Sequence, residues 1–546
     1  MTDGYDADRP TVTLSQGVVK GTKDEGSFPK TVEKFLGIPY ALPPVGDRRF
    51  RPPVKVGPSS ETIDASKWGY IAPAKQFIVT GPKLESSEDC LTANVFRQAP
   101  TAAGETTGLL PVAIYVHGGA FNRGSASMHN TASMMGWSAA PFVAVSFNYR
   151  IGALGFLPSA LSAKEGILNL GLKDQILMFE WVQENIKQFG GDPNNVTLIG
   201  LSAGAHSIGH HLLDYEEGKK PLFHRAVMES GAPTSRAVRN YDAPIHEEQF
   251  RAFLAEAGCP KDLPEAEVLP FLRGVSTEVI AKAQEKVFYG YNPSLRWAFQ
   301  PVIDGEIIRR RPIDAWRQGL WHKLPVMTGF NGNEGSLYVD RQMATPDQFT
   351  GFFRTLLPQL EPADLQAINA LYPDPAAAAD SPYREDRDGV GAQYKRIEAA
   401  YAHYAYVAPV RQTAHLASPE VPVYIYHWAL QSSIVGGASH GDNMKYEGMD
   451  PAVLKISPTQ KEMAGTLHAY VTSFICTGDP SGLAGEYAQR PQWPAYDNSS
   501  PKIMIFGQKN KELVGGSVGP PAEVNDDVWA KTESDFWWSK VEISQQ

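Results

Sequence analysis

A strand–helix–strand succession in the first half of the chain constrains the fold more than any other feature. The apolar runs FVAVSFNYR (142–150) and VTLIG (196–200) are typical of strands that are covered on both faces. Between them, GLKDQILMFEWVQENIKQFGG (171–191) carries apolar residues at helical spacing and ends in glycine, a helix stop signal. This order predicts a right-handed parallel crossover, and therefore an α/β sheet.

Further apolar runs extend the predicted sheet on both sides of this unit. Residues 340–415 have a mostly helical pattern, and neither an internal repeat nor a linker is apparent. We therefore expect one domain over residues 1–546, with a mostly helical insertion at 340–415. The additional predicted strands are PVAIYVHGG (111–119), RAVMESG (225–231), LPVMTGF (324–330) and PVYIYHWAL (422–430).

Composition and charge exclude several classes of partner and suggest a compartment. The formal net charge is −10 and no basic run occurs, so no nucleic-acid partner is expected. No stretch of eighteen apolar residues predicts a membrane span. Cys90, Cys259 and Cys476 are too few, and odd in number, to suggest a disulfide framework, and MTDGYDADRPTVTLSQG has no leader pattern. These features predict a cytoplasmic protein, and they leave its oligomeric state open.

A serine between small residues follows the predicted strand VTLIG. Residues Gly200–Gly204 read G-L-S-A-G, which fits the G-x-S-x-G pattern of a nucleophile elbow. In that turn the serine hydroxyl projects at the start of a helix, where backbone N–H groups favour negative charge. The pattern by itself is also compatible with a small-residue packing turn. The strand before it and the helix-compatible AHSIGHHLL after it favour Ser202 as a nucleophile.

A serine nucleophile needs a base and an acid, and in this kind of fold they follow it in the order acid, then histidine. His440 lies in the glycine-rich loop VGGASHGDN directly after a predicted strand, whereas the other late histidines lie in strand or helix patterns. Glu334 follows the strand LPVMTGF, and Asp304 is better explained as a turn residue. The sequence therefore predicts Glu334 as the acid and His440 as the base.

The third requirement is a pair of donors for the oxyanion. Gly118 and Gly119 end the strand in YVHGGAF, and Ala203 follows the predicted nucleophile, so these three backbone amides are the candidates. No cofactor is needed for such chemistry. His206 and His210 are four residues apart on a predicted helix, but the glutamate of a zinc-binding H-E-x-x-H motif is missing, so no metal site is expected.

Taken together, these segments resemble the carboxylesterase/cholinesterase family, the type-B esterases and lipases of the α/β-hydrolase fold. The resemblance implies a large, mostly parallel twisted sheet with helices on both faces and insertions over the active site. It also implies Ser202, Glu334 and His440 as a triad, with Gly118, Gly119 and Ala203 as the oxyanion hole. The segments that carry it, in the family's order, are FLGIPYALPPVGDRRFRPP, SEDCLTANV, YVHGGAF, NYRIGALGFL, NLGLKDQ, FGGDPNNVTLIGLSAGA, GFNGNEG and ASHGDNMKY.

Two further site residues, and the departures from the family pattern, come from the same resemblance. Ser230 matches a serine that supports the triad's hydrogen bonds in relatives. Leu201 stands where most relatives have an acidic or polar residue, which implies neutral, fairly apolar substrates and argues against a cationic alcohol group. Cys90 and Cys259 lack the partners that they have in disulfide-bonded relatives, in agreement with the cytoplasmic expectation.

The sequence therefore predicts a serine hydrolase that cleaves small-molecule carboxylic esters through an acyl-enzyme. The same residues could cleave an amide, a carbamate or a thioester, or transfer the acyl group to another acceptor. A non-catalytic binding domain of the same family is a further alternative. The natural ester, and any preference for lipid interfaces, stay open.

Overall fold

A computed structural model of the chain describes residues 9–76, 81–100, 108–236 and 238–544. The described strands are β1 (Thr11–Leu14), β2 (Gly17–Lys20), β3 (Thr22–Asp24), β4 (Val32–Pro39), β5 (Thr62–Asp64), β6 (Thr92–Gln98), β7 (Leu110–Val116), β8 (Val143–Phe147), β9 (Gly191–Leu201), β10 (Arg225–Glu229), β11 (Val326–Asn331), β12 (Val423–Trp428), β13 (Lys502–Phe506) and β14 (Ala522–Asp526). The described α-helices are α1 (Thr131–Trp137), α2 (Ala160–Lys164), α3 (Leu170–Asn185), α4 (Ala203–Leu213), α5 (Pro244–Glu256), α6 (Glu265–Gly274), α7 (Thr277–Tyr291), α8 (Pro312–Arg317), α9 (Pro346–Leu356), α10 (Pro362–Leu371), α11 (Tyr394–Ala402), α12 (Ala408–Ala417), α13 (Asn443–Glu447), α14 (Pro451–Leu454), α15 (Pro458–Thr477), α16 (Lys531–Ser539) and α17 (Val541–Ser544).

Most strands belong to one large mixed sheet. It has eleven strands in the order β14-β13-β12-β11-β10-β9-β7-β8-β6-β4-β3, and β1, β2 and β5 form a separate three-stranded sheet. Within the run from β8 through β7, β9, β10, β11 and β12 to β13, every adjacent pair of strands is parallel. Antiparallel pairs occur only towards the two edges of the large sheet as described. The predicted large, mostly parallel sheet is therefore confirmed.

The strand–helix–strand unit of the sequence is the centre of this sheet. Strands β8 and β9 are connected through α3 and lie on either side of β7, to which both are parallel. Strand β9 begins at Gly191, five residues before the predicted VTLIG run, because Gly191 pairs with Leu110 ahead of a register shift in β7. The extra length does not change the end of β9, which carries the predicted nucleophile.

Alternating residues of the central strands face two different cores. In β7, Val112, Ile114 and Val116 belong to one hydrophobic cluster, whereas Ala113 and Tyr115 belong to another. The first cluster includes apolar residues of α3, α4 and α12, and the second includes those of α1 and α15. Because side chains alternate along a strand, helices on both faces of the sheet favour strands that are mostly apolar on both faces.

A third hydrophobic cluster lies among the helices between β11 and β12. Helices α9, α10 and α11 contribute Phe349, Phe353, Ile368 and Tyr401, and Trp297 joins them from the segment after α7. A π-helical stretch, His403–Val407, connects α11 to α12. The aromatic side chains of this cluster pack beside the ends of β11 and β12. Within the residues described above, every helix is too short or too polar to span a lipid bilayer.

Candidate active site

The turn between β9 and α4 holds Ser202 in a strained backbone conformation. Ser202 has φ 60° and ψ −123°, values that a non-glycine residue rarely adopts. The neighbouring glycines allow this close turn: a Cβ on Gly204 would lie 2.0 Å from the carbonyl oxygen of Val116, and one on Gly200 would lie 2.7 Å from the carbonyl carbon of Gly204. The side chain of Ser202 is thereby presented at the first turn of α4.

The segment after β7 packs directly against this turn. A Cβ on Gly118 would lie 2.5 Å from the carbonyl oxygen of Leu201 and 3.1 Å from the Cβ of Ser202. Gly119 has φ 113°, which favours glycine. Among the residues described, none accepts a hydrogen bond from the backbone N–H of Gly118, Gly119 or Ala203. Three N–H groups near the serine are thus available to an oxygen of a bound molecule.

Glu334 and His440 come together from loops that follow neighbouring strands. Glu334 lies in a short 3₁₀ turn, Glu334–Leu337, after β11, and His440 lies in the loop between β12 and α13. The Nδ1 atom of His440 is 2.5 Å from Oε2 of Glu334, and the two side chains are 5% and 0% exposed. Because β11 and β12 are parallel neighbours, their carboxyl ends bring these two loops to the same edge of the sheet.

The other ring nitrogen of His440 is buried and makes no hydrogen bond to any residue described. The chain beside this histidine packs on the chain beside the serine, since a Cβ on Gly441 would lie 3.0 Å from Cδ2 of Leu201. His206, one turn into α4, has its pKa lowered well below 6.5 by burial, then by the charge of Arg236, with a smaller contribution from His440. His440 therefore lies close to the start of α4.

Two buried asparagines, Asn331 and Asn443, connect Glu334 to the loop of His440 and to β10. The backbone N–H of Asn331 donates to Oε1 of Glu334 at 2.7 Å, and its side chain donates to the carbonyl oxygen of Ser439 at 2.6 Å. Asn443 contacts the same asparagine side chain and donates to Oε1 of Glu229 at 3.0 Å. This network ties the acid, the histidine loop and the end of β10 together, so the Glu334–His440 contact is preorganised.

Two tyrosines that the sequence analysis did not identify cover the ring of His440. The ring centroids of Tyr406 and Tyr338 lie 4.8 Å and 5.3 Å from that of His440, and the two tyrosine rings stack on each other at 5.9 Å. Tyr338 lies four residues after Glu334, and Tyr406 lies in the π-helical stretch. The sequence gives no signal for these tyrosines. They reach His440 only because the helices of residues 340–415 and the turn after Glu334 pack against the loop that carries this histidine.

Leu201 and Ser230 lie near the serine but differ in their surroundings. Leu201 is 5% exposed and belongs to a hydrophobic cluster, so the position before Ser202 is apolar. Ser230 directly follows Glu229, whose carbonyl oxygen accepts a hydrogen bond from the backbone N–H of Ser202 at 2.9 Å. The Oγ atom of Ser230 is buried and has no hydrogen-bond partner among the residues described.

The residues that the sequence offered as alternatives to the predicted site, Asp304 and His206, make hydrogen bonds that hold the local fold. Oδ1 of Asp304 accepts hydrogen bonds from the backbone N–H groups of Glu306, Ile307 and Ile308, as a turn aspartate does. His206 contacts the carbonyl oxygen of Ala232 through Nδ1 at 3.0 Å. Within the described ranges, no group of three histidine, cysteine, aspartate or glutamate side chains is placed to hold a metal ion.

Many histidines are buried in the neutral form, which makes the fold sensitive to acid. A proton that the unfolded chain binds near pH 6.5 is bound by these folded residues only at much lower pH, so stability is lost as the pH falls below 6.5. Burial lowers the pKa of the following imidazoles, to about 4 for His117, His129 and His468 and to about 3 for His210, His211, His403 and His427.

We expect the unfolding temperature to fall continuously from pH 7 to pH 4.5, which thermal denaturation at fixed salt would measure. Burial raises the pKa of Glu398 and Glu447 to about 7 and that of Glu229 well above 4.5, so these groups act in the opposite direction, but they are outnumbered by the histidines. His468→Asn is a matched variant, since asparagine can replace the 2.8 Å contact of Nδ1 with the carbonyl oxygen of Glu447 without titrating. Its pH dependence should be shallower, and an unfolding temperature that does not change across this range would contradict the expectation.

This architecture defines the class of the protein. The central strand of the sheet, β9, turns sharply into a helix at a strained serine, and an acid and a histidine lie on loops later in the chain. This is the architecture of the α/β hydrolases. The solved structure of EstA from Aspergillus niger superimposes with a TM-score of 0.82 at 26% identity, and the match covers 98% of this chain and 99% of that one.

The chain belongs to the carboxylesterase family, whose sequence model matches residues 8–523. It is 36% identical to "Secreted lipase 4" of Gibberella zeae over 97% of this chain and 92% of that protein. It is also 32% identical to "Para-nitrobenzyl esterase" of Bacillus subtilis over 91% of this chain and 94% of that protein. The family resemblance expected from the sequence is confirmed, and carboxylic-ester hydrolysis is the activity of this family.

The expected cytoplasmic location is wrong. Secreted lipase 4 and further relatives that match more than nine tenths of this chain are named as secreted proteins. The expectation gave too much weight to the scarcity of cysteines, and Cys90, Cys259 and Cys476 are indeed free thiols. Disulfides are needed mainly by small domains that cannot build a sufficient core, whereas a chain of 546 residues buries a large one.

Proposed function

We propose that this chain hydrolyses carboxylic esters with Ser202 as nucleophile, His440 as general base and Glu334 as the residue that orients the base. The observation that carries this proposal is the 2.5 Å contact between Glu334 and Nδ1 of His440, which leaves the buried Nε2 atom unoccupied beside the start of α4. The strained turn at Ser202 supports it further, because strain of this kind concentrates at functional sites.

The proposed reaction has two halves that use the same groups. Oγ of Ser202 attacks the ester carbonyl carbon while Nε2 of His440 takes the hydroxyl proton, and Glu334 stabilises the imidazolium that forms. The tetrahedral intermediate collapses, and the alcohol leaves with the proton from His440. A water molecule then attacks the acyl-serine, gives its proton to the same nitrogen, and releases the acid with Ser202 restored.

The N–H groups of Gly118, Gly119 and Ala203 are the proposed donors to the oxyanion. Their lack of protein acceptors and the contact of Gly118 with Ser202 support this assignment. The start of α4 adds the positive end of a helix dipole at the same place. Donors that are fixed before the reaction are worth about 100- to 1000-fold in rate for each one in related chemistry.

The immediate surroundings of Ser202 favour esters that are fairly apolar next to the ester bond, and they disfavour a cationic alcohol group. Leu201 supplies no negative charge next to the nucleophile, and its side chain is buried against the loop of His440. Relatives of this chain are named as a secreted lipase and as a para-nitrobenzyl esterase. We further propose that the catalytic unit is a single domain that includes the helices of residues 340–415, and that it acts outside the cell.

Covalent labelling tests the assignment of the nucleophile. A fluorophosphonate should modify the native enzyme at the peptide that contains Ser202, which mass spectrometry of a digest would identify. Labelling should disappear in Ser202→Ala and persist in Ser159→Ala, in which only the cap of α2 is removed. Labelling of another peptide, or undiminished labelling of Ser202→Ala, would refute the proposal.

A substrate panel separates ester hydrolysis from the alternatives that use the same groups. Nitrophenyl esters of increasing acyl length should be turned over, while matched anilides should be turned over much more slowly, since an amine is the poorer leaving group. Preference for the anilides, or transfer of the acyl group to an added alcohol in place of water, would assign the chain to one of the alternative activities.

A further inference from the structure

Three arginines beside the proposed active site line one cavity without a carboxylate partner. Arg236, Arg239 and Arg296 border a cavity of about 50 Å³, together with aromatic, apolar and neutral polar residues, and no aspartate or glutamate is among its described lining residues. None of the three guanidinium groups forms an ion pair with a residue that the structure describes. Glu248 acts on Arg296 from a distance, but it accepts a hydrogen bond from Tyr291 and does not line the cavity.

The three cavity arginines are partly buried, and their surroundings differ from those of the fully buried arginines of the chain. A buried guanidinium is costly unless it is paired, so such residues normally have a carboxylate beside them. Elsewhere in the described chain this holds, at 2.5 to 2.6 Å, for Arg49 with Glu88, Arg150 with Asp174, and Arg411 with Asp527. The fourth buried arginine, Arg396, has no carboxylate partner and donates instead to the carbonyl oxygen of Tyr372 and to the amide oxygens of Gln393 and Asn369. Because the arginines of the cavity have no carboxylate partner within the described chain, their guanidinium groups can bind an anion.

Other polar atoms around the cavity are also without partners. Nε of Arg296 is buried and makes no hydrogen bond within the described chain. His246 is 4% exposed, has Gln249 as its polar neighbour, and forms no hydrogen bond of good geometry with either ring nitrogen in this part of the structure. Buried polar groups without partners are rare in folded proteins and mark places where a ligand can supply the missing bonds.

Arg236 connects this cavity to the catalytic histidine. Its guanidinium carbon lies 3.8 Å from the ring centroid of Trp297, and its Nη2 atom donates to the hydroxyl of Tyr406 at 2.9 Å. Tyr406 is one of the two tyrosines whose rings cover His440. On the opposite side, Gln300 lines the cavity and donates to the carbonyl oxygen of Ala120 at 2.9 Å, next to the proposed oxyanion donors.

The cavity continues into a larger groove. A neighbouring groove of about 530 Å³ shares Arg239, Ile245 and Arg296 with it. The two shared arginines make the passage from the groove to Arg236 positive, and Asp242, which lines the groove, lies outside the cavity. Such a passage attracts anions and would disfavour a cationic group.

We propose that Arg236, assisted by Arg239 and Arg296, binds a carboxylate group carried by the ester substrate. The planar fork of arginine matches a carboxylate and forms the stronger, charge-assisted type of hydrogen bond. The substrate class is then an ester that carries a free carboxylate, either on its acyl part, as in a monoester of a dicarboxylic acid, or on its alcohol part. This inference rests on the proposed function of the same site, and it adds one charged group to an otherwise apolar ester.

Two matched pairs of esters test the proposal and distinguish the two positions of the carboxylate. The first pair is the mono-4-nitrophenyl ester of glutaric acid and 4-nitrophenyl pentanoate. The second pair is the acetyl ester of 3-hydroxybenzoic acid and that of its methyl ester. We expect Arg236→Leu to lower kcat/KM for the carboxylate-bearing member of one pair by about 10- to 100-fold, with a much smaller change for the neutral member.

Further variants distinguish the loss of carboxylate binding from a folding defect caused by the substitution of Arg236. Arg236→Lys keeps the charge without the fork and should give an intermediate loss, and Arg239→Leu and Arg296→Leu should shift the ratio in the same direction. Arg354→Leu is the control, because this exposed arginine of α9 does not line the cavity. Glutarate should inhibit hydrolysis of the neutral ester by the native enzyme more strongly than pentanoate does, and this difference should vanish in Arg236→Leu.

The outcomes separate this proposal from the proposed function. Equal losses for both members of each pair would show that Arg236 acts only by holding Tyr406 against His440, and would overturn carboxylate recognition. An unchanged ratio in both pairs, for all three arginine variants, would overturn it as well. Failure of the catalytic assignment has a different signature, namely that the neutral esters are hydrolysed at the native rate by Ser202→Ala.

Discussion

Ser202→Ala is expected to lower kcat for ester hydrolysis by about a million-fold, the loss seen when the nucleophile of a serine hydrolase is removed. The expectation follows from the geometry, since no other hydroxyl takes the strained position between β9 and α4. KM should change little, because the alanine variant keeps Leu201, the oxyanion amides and the arginine cavity. Steady-state kinetics with a nitrophenyl ester, on protein whose folding is checked by circular dichroism, would measure the change.

The residual rate of Ser202→Ala is itself informative. A variant that binds the ester in the oxyanion hole without forming an acyl-enzyme should still exceed the uncatalysed reaction by about 1000- to 10,000-fold. Ser159→Ala is the matched control, because this buried serine caps α2 and should affect stability but not kcat. Activity of Ser202→Ala within tenfold of the native enzyme would require a different nucleophile.

Glu334→Gln is expected to lower kcat by about 10,000-fold with little change in fold. Glutamine is nearly isosteric, and its carbonyl oxygen can still accept the 2.7 Å hydrogen bond from the backbone of Asn331. Its NH₂ group would then face Nδ1 of His440, where the carboxylate lies at 2.5 Å in the native protein. A donor at this place favours the tautomer with the proton on Nε2, and that nitrogen can no longer accept the proton of Ser202.

A neighbouring buried glutamate provides the control for this substitution. Glu398 contacts Asn333 at 3.4 Å through its carboxylate, close to the turn that carries Glu334, but it makes no contact with His440. Glu398→Gln should therefore retain kcat within a fewfold. The measurement is kcat across the pH range for both variants. A loss of similar size in both, or full activity in Glu334→Gln, would show that Glu334 does not orient the histidine.

The sequence was sufficient for those parts of the site that depend on local pattern and chain order. Strands β7 to β12 were predicted from short apolar runs, because strands covered on both faces consist mostly of apolar residues. Ser202 and the glycines around it were predicted because a strained turn requires small neighbours. Glu334 and His440 followed from their positions after predicted strands, since parallel strands present their carboxyl ends at one edge. The roles of these residues stay predictions until the variants are measured.

Other expectations failed or could not be formed from the sequence. The cytoplasmic location was wrong because cysteine content reports on how a fold is stabilised and only indirectly on where the protein works. Tyr338, Tyr406 and Arg236 gave no signal, since each occurs in a segment whose pattern resembles an ordinary helix, turn or loop. Their importance comes from contacts between segments that are far apart in the chain.

By itself, the sequence determined the sheet and the order in which nucleophile, acid and base follow one another. These features depend on the period of apolar residues and on the small residues that a sharp turn demands, and both are visible within a few neighbouring positions. Only the tertiary structure decided what surrounds the reacting groups, including the tyrosines over His440 and the arginine cavity behind them. The physical reason is that packing of the helical insertion against the sheet sets these contacts, and no local rule of sequence encodes which distant side chains meet.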